Sequence, residues 1–533
     1  MVKALPAEKS LTLAKQAVKK QDWLTAQRHY KSVLDRFPGN KKAAKALQDV
    51  RQACAQGLIE AANEAQKAED WRHAAACFRG AAYLLPNNAS IKEALVKASI
   101  EALEFDQALK VIDQTLAEQA DNVTYLIYRG KALHGLNKSV PARQALEKAL
   151  QLVPGDPQAL ASLALVEQAQ GNLDKALQCL EDGLKTSPWD VALLRSLAML
   201  KPDFTSDDPY IDQARQALAK LGKDTEQGAH VQFALFDMLH KAGAHDAAFP
   251  YLRQGNETLA CLHPFDFKSE AYVGALSKAH FQTAQPEQPL GTPPKFIFVT
   301  GLPRTGTTLV ERILARSENV QAAGELHIVS SAVLAQLRDL RGRPDQKLKP
   351  SDIAAIRQKF LEGFDQISDG RAVIVDKMPA NFRWIGHICA ALPEARIVHM
   401  NRDPQAVAWS LYRHVFQGRG QDYVFTPQDI AKYMIFHKDL MTHWRKTYPG
   451  RIFDLNYSDL VQYQTASTKA LAKAVGLEWS EAWLSPEKAE THVRTSSAVQ
   501  VTKPIYQGSD RSWTAYETQL ASLQSALKAG KLI

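Results

Sequence analysis

The chain has 533 residues, 45% of them hydrophobic and 23% charged, which is too long for one core and too apolar for a disordered chain. Two or more globular domains are therefore expected. The net charge of +8 is modest at this length; it suits an anionic ligand or acidic partners, and without a basic tail or interleaved basic and aromatic residues it is not a nucleic-acid-binding signature.

From about residue 8 to 200 the chain is rich in Ala, Leu, Gln and Lys and recurs with a period near 34 residues, the tetratricopeptide (TPR) length. Pro86, Pro154 and Pro188 mark the period, with Ala120 in the missing slot, and each follows an amphipathic helix. Inter-helix turns fall in phase at Trp71, Phe105, Ser139 and Leu173. The first repeat is out of phase, because Trp23 and Trp71 are 48 residues apart. The surplus of 14 residues lies in 41–69 and is expected to lengthen two helices by about two turns each. A helix pair cannot bury its apolar face alone, so the pairs are expected to stack into a superhelix. Such an array serves equally as a plain scaffold or as a groove for a peptide or protein.

Residues 201–284 stay helical but leave the period, and they read as additional or capping helices with an Ala-Gly-Ala-His turn ending at His245. A Pro- and Gly-rich stretch then marks a linker at 285–294. The expected division is a repeat array at 1–200, capping helices at 201–284, the linker, and a second domain at 295–533.

That domain opens with Phe296, Ile297, Phe298, Val299 and Thr300, an uncharged aromatic and β-branched strand. Gly301 to Gly306 form a tight loop. Thr307 and Thr308 open a helix whose positions Leu309, Val310, Ile313 and Leu314 share one face. A strand, a glycine loop and a helix N-terminus together form an anion-binding device. The Gly301-to-Gly306 spacing is that of a P-loop, but Thr307 stands where a nucleotide hydrolase has lysine, and a cation, Arg304, sits inside the loop instead. The loop can hold a phosphate, and the missing lysine argues against γ-phosphate transfer from ATP. An ordinary strand–turn–helix corner rarely places Arg, Gly and two Thr together.

Further strands are expected at Ala372-Val373-Ile374-Val375, at Arg396 to Met400 and at Ile452 to Leu455, with helical stretches between them. The alternation implies an α/β domain with a central parallel sheet, whose ligands bind beyond the carboxyl ends of its strands. The five cysteines, Cys54, Cys77, Cys179, Cys261 and Cys389, are scattered and lack metal-ligand spacing, which points to a reducing compartment and no metal site. Cys389 lies in an apolar helical pattern and reads as core. No run approaches the length of a membrane span and the first twenty residues have no signal-peptide core, so a cytoplasmic location is expected.

The run Pro303-Arg304-Thr305-Gly306-Thr307-Thr308-Leu309 resembles the 5′-phosphosulfate loop of sulfotransferases that use PAPS (3′-phosphoadenosine 5′-phosphosulfate). It is most similar to the tyrosylprotein-sulfotransferase-like branch, whose bacterial members often carry helical repeats in front. The resemblance covers about residues 295–520 and implies a TPR superhelix followed by a P-loop-like sulfotransferase domain. It implies that Arg304, Thr305, Gly306, Thr307 and Thr308 bind the 5′-phosphate. Lys377, in Asp-Lys-Met-Pro where the family often has Lys-Asp-Pro, joins Arg304 in stabilising the leaving phosphate. Arg402 and Ser410, eight residues apart, bind the 3′-phosphate.

Glu325, in Gly-Glu-Leu-His, is the implied general base and ranks above His327, the residue type that other branches use, because Gly324-Glu325 carries the match. Tyr457 is an implied nucleotide contact, as are Ser497 and Lys503 in a closing segment. That segment departs from the pattern at Ser512, where a lysine is expected before Trp513. The reading is in-line sulfuryl transfer to a hydroxyl of a peptide (tyrosine, by the branch), a carbohydrate or a small phenol, with PAPS as co-substrate. A P-loop kinase is the alternative that Thr307 opposes. A non-catalytic TPR adaptor with a vestigial transferase domain is opposed by the intact set Arg304, Glu325, Lys377, Arg402 and Ser410.

Overall fold

The computed structural model describes residues 6–20, 22–67, 70–284, 295–340, 347–416, 420–489, 505 and 508–533. Two compact units emerge, Met1–Lys201 and Pro202–Ile533.

The first unit is helical throughout. The second helix of successive pairs begins at Trp71, Phe105, Ser139 and Leu173, and the first helix at Ala89, Val123, Pro157 and Val191, each series spaced by 34 residues. The turn positions read from the sequence are thus the opening residues of the second helices. A further in-phase signal is present: Asn88, Asn122, Asp156 and Asp190 each accept a hydrogen bond from the amide three residues on, capping the first helices. Between helices the packing uses small residues. A Cβ on Gly130 would come within 2.5 Å of Leu146, in a cluster that also holds Leu133, Ala149 and Val166.

The expected sharing of the 14 surplus residues between two helices is not what the structure has. The helix Lys41–Lys67 is 27 residues long against 13 for Ala89–Glu101, so one helix takes up the whole surplus. That stretch has no proline to break it. At 3.6 residues per turn the surplus is roughly four turns. The buried positions Ala43, Leu47 and Val50 therefore continue on nearly the same side as Ala62 and Ala65.

The second unit is built on five strands: β1 (Phe296–Gly301), β2 (Val320–Ala322), β3 (Val373–Lys377), β4 (Arg396–Asn401) and β5 (Ile452–Asn456). Their order is β2-β3-β1-β4-β5 and all are parallel, with Val299 opposite Lys377 and Gly301 opposite Met400. Four of the five are legible as apolar runs. The edge strand β2 is not, because it has three residues and a polar centre, Gln321. Ile297, Val299, Val375 and Val398 pack on the helices Thr307–Leu314 and Gln464–Val475 on one face of the sheet. Phe296 and Phe298 meet Phe364 on the other.

The helices Pro209–Leu221, Glu226–Lys241, His245–Leu262 and Phe267–His280, read from sequence as capping elements, fall within this second unit. Asn256 Nδ2 donates to the Tyr412 carbonyl at 3.0 Å, Glu270 pairs with Arg383 at 2.9 Å, and Lys278 pairs with Asp439 at 2.5 Å. The expected linker at 285–294 lies outside the described residues.

Candidate active site

Every strand delivers a polar group at or just past its carboxyl end. After β1, Arg304 and Gly306 both adopt left-handed backbone, with φ of 70° and 103°. Left-handed residues in a short loop turn amides toward a common point, and the first amides of the helix Thr307–Leu314 have no carbonyl partner within it. Thr305, Thr307 and Thr308 are buried, and Thr305 Oγ1 braces the loop by donating to the Leu302 carbonyl at 2.7 Å. A Cβ on Gly306 would lie 2.7 Å from Tyr457 Cδ2 and 3.3 Å from Met400 Cε, so only glycine fits this corner.

On the β4–β5 side of the loop, four of the residues singled out in the sequence come together. Arg402 Nη1 donates to the Arg304 carbonyl at 2.8 Å, and its guanidinium carbon lies 4.5 Å from the centre of the Tyr457 ring. Ser410, on the helix Pro404–Tyr412, accepts from Arg304 Nε at 3.0 Å. Asp403, next to Arg402, caps that helix by accepting from the Ala406 amide. The carboxylate paired with Arg402 is Asp510, at 2.6 Å. Ser497 and Lys503 lie outside the described residues.

On the β2–β3 side, Lys377 Nζ meets Glu325 Oε1 at 2.5 Å. The lysine side chain is 1% exposed and the glutamate 42%, so the pair joins the interior to the surface. Chain continuing from β2 runs beside β3, with Ala323 N donating to the Val375 carbonyl and Lys377 N to the Gly324 carbonyl, both at 3.0 Å. His327 stands just before the helix Ile328–Leu340, where its carbonyl accepts from the Ser331 amide.

Two buried carboxyls here escaped the sequence reading. Glu311, on the loop helix, accepts from the Gly324 amide at 2.8 Å; burial raises its pKa and Lys377 opposes that rise. Asp376 is enclosed beside Lys377, accepts from Asn381 at 3.0 Å and is pushed by burial to about 8. The available signal for Glu311 was a charge set among the core positions Leu309, Val310 and Ile313.

Residues 294–481 match the family model described as "Sulfotransferase family", and residues 93–157 and 157–200 match tetratricopeptide-repeat models. This is a sulfotransferase-family domain behind TPR repeats. An uncharacterized protein of Aquifex aeolicus (strain VF5) is 27% identical over 81% of this chain and 58% of its own length. Protein-tyrosine sulfotransferase 2 of Gallus gallus is 22% identical over 36% of this chain and 54% of its own. The chain thus spans less than two thirds of the length of either relative. Among solved structures, the sulfotransferase domain from the Synechococcus PCC 7002 olefin synthase is 18% identical, with a TM-score of 0.33, covering 47% of this chain and 97% of that one.

Around the carboxyl ends of these strands the chemistry is that of anion binding. Arg304, Lys377 and Arg402 bring cations to the strand ends, and Thr305, Thr307 and Thr308 add hydroxyls. Cys389 is core as expected; burial pushes its thiol up to about 12, which keeps it protonated. In the TPR unit a cavity of about 450 Å³ is lined by Lys97, Glu101, Tyr128, Lys131, Gln158 and Asp190. Its walls carry both signs of charge, and burial lowers the Lys131 pKa. Among the described residues, no helix is long and apolar enough to cross a membrane.

Proposed function

We propose that the domain is a PAPS-dependent sulfotransferase acting on an acceptor hydroxyl. The observation that carries this is the meeting of Arg304, Arg402, Ser410 and Tyr457 beside a glycine loop that Gly306 keeps open, opposite the Lys377–Glu325 pair. These residues suit a nucleotide with two separate anionic ends. When bound, PAPS supplies the sulfuryl group and a phosphate leaving group.

The Thr305–Thr308 amides and hydroxyls, with Arg304, hold the 5′ end and stabilise the charge that develops there. Lys377 is the second cation for that charge; its burial makes the ammonium worth more than it would be in water. Arg402 and Ser410 hold the 3′-phosphate, with Tyr457 against the nucleotide and Ser497 and Lys503 in the closing segment. Glu325 orients the acceptor hydroxyl and takes its proton. In the structure Lys377 and Glu325 pair with each other; with the co-substrate and acceptor bound, Lys377 would serve the leaving phosphate and Glu325 the acceptor hydroxyl.

The acceptor is a hydroxyl compound. Peptide tyrosine is the favoured class, from the similarity to a protein-tyrosine sulfotransferase, with the repeat unit holding a peptide or protein partner.

Calorimetric titration with PAP, the desulfonated product, on wild type and Arg402→Ala tests this reading. Wild type is expected to bind tightly and the variant to lose at least about tenfold in affinity. Binding of ATP instead, with Mg-dependent turnover, would replace the proposal with a kinase. Silence toward both nucleotides would leave an adaptor.

A further inference from the structure

Arg402 already has an anion. Its Nε donates to Asp510 Oδ1 at 2.6 Å, with the arginine side chain 10% exposed and the aspartate 29%. Among the described residues this is the carboxylate it pairs with. A guanidinium so far out of water needs such a partner, because an uncompensated buried charge is strongly destabilising.

Asp510 sits in the short 3-10 turn Ser509–Arg511, which follows Gly508 at φ 107°. Six residues later Tyr516 anchors the segment. It is fully buried, its hydroxyl lies 2.8 Å from His240 Nδ1, and its ring centre lies 4.8 Å from that of Trp409. Trp409 precedes Ser410 on the same helix. The turn bearing Asp510 is therefore moored to the element that carries the other group read as a 3′-phosphate ligand.

We propose that Asp510 is a specificity-determining residue of the nucleotide site: its carboxylate satisfies Arg402 in place of a ligand's 3′-phosphate, so a ligand bearing that phosphate binds by displacing Asp510, and a ligand lacking it leaves the pair intact. This rests on the reading of Arg402 as the 3′-phosphate ligand. A phosphate of higher charge, with more acceptor oxygens, outcompetes one carboxylate for a guanidinium. The Tyr516 anchor keeps the displaced carboxylate nearby, where it repels the phosphate. Asp510 thus weakens binding of 3′-phosphorylated nucleotides selectively.

The test is calorimetry on the full chain with PAP and with 5′-AMP, using wild type, Asp510→Asn and Asp510→Ala. Asparagine is close in shape and keeps an acceptor oxygen for Arg402 Nε, so the hydrogen bond stays while the charge goes; a circular-dichroism melt of each variant shows how much stability the lost charge costs and that the variant is folded at the titration temperature. Both variants are expected to bind PAP about tenfold tighter than wild type, with 5′-AMP affinity changed by less than about twofold. Unchanged or weaker PAP binding would overturn the proposal and make Asp510 an orienting partner of Arg402. Equal tightening toward both nucleotides would also overturn it, as a general field effect. If wild type itself fails to bind PAP, the cofactor reading falls first and takes this inference with it.

Discussion

Glu311 shows how one side chain can tie together parts of a site that lie far apart in the chain. It rises from the helix that opens at Thr307, is 7% exposed, and bonds the amide of Gly324, the residue before Glu325. Gly324 has φ of 73° and its carbonyl accepts from Lys377 N, so the glycine-loop helix, the candidate base and the candidate lysine share one bracket. Glu311→Gln keeps an acceptor for the amide, whereas Glu311→Leu leaves a half-buried N–H unmet. The leucine variant is expected to lose about 2 kcal/mol of stability and the glutamine variant less than about 1 kcal/mol, read from urea unfolding midpoints. Equal losses for the two would mean that volume or charge, and not this hydrogen bond, is what the position supplies. Such a bond was not legible in the sequence, since Glu311 and Gly324 carry no local signal of contact. By contrast, Arg304 and Arg402 could be singled out from local features, a glycine loop and a strand end, and Ser410 from its spacing of eight residues after Arg402.

At the scale of elements, the strand–loop–helix corner depends on glycine at position 306 for two separate reasons. Its φ of 103° is strained for any other residue, and the space for a Cβ is taken by the Tyr457 ring. Gly306→Ala is expected to weaken PAP binding by at least about tenfold and to lower the melting temperature. Adding Tyr457→Ala should restore only part of the stability, because backbone strain of about 1–2 kcal/mol remains. Full restoration would show that the ring contact alone matters. β1 was readable because a central parallel strand must be apolar on both faces. β2 was not, because it is an edge strand formed by pairing with β3 and not by its own propensity. The helix Lys41–Lys67 was misjudged for a related reason: periodicity counts surplus residues but does not say which helix takes them.

For the whole molecule, the consequential feature is that the helices from Pro209 to His280 fall in one unit with the sheet. Asn256, Glu270 and His240 reach groups on the α/β elements, and removing them would leave the Tyr412 carbonyl, Arg383 and Tyr516 short of partners in the interior. A chain of residues 202–533 is expected to unfold in one cooperative thermal transition. A chain beginning at 295 is expected to aggregate or to melt at least about 10 °C lower, since several buried polar groups and aromatic contacts go at once. Independent, equally stable folding of 295–533 would return these helices to the role of a separate cap.

Local pattern by itself determined the two kinds of architecture, the repeat period, four of the five strands and the glycine loop beside the candidate site. Each of these is a regularity of neighbouring residues: a 34-residue recurrence, short runs rich in β-branched residues, or glycines bracketing an arginine before two threonines. Tertiary structure alone decided which groups meet. It set Asp510 against Arg402, Glu325 against Lys377, Glu311 beneath Gly324, and Tyr457 over the corner at Gly306. The reason is physical: a parallel sheet brings strand ends from distant parts of the chain to one edge, and the price of burying each charge there is a partner that only the folded chain can supply.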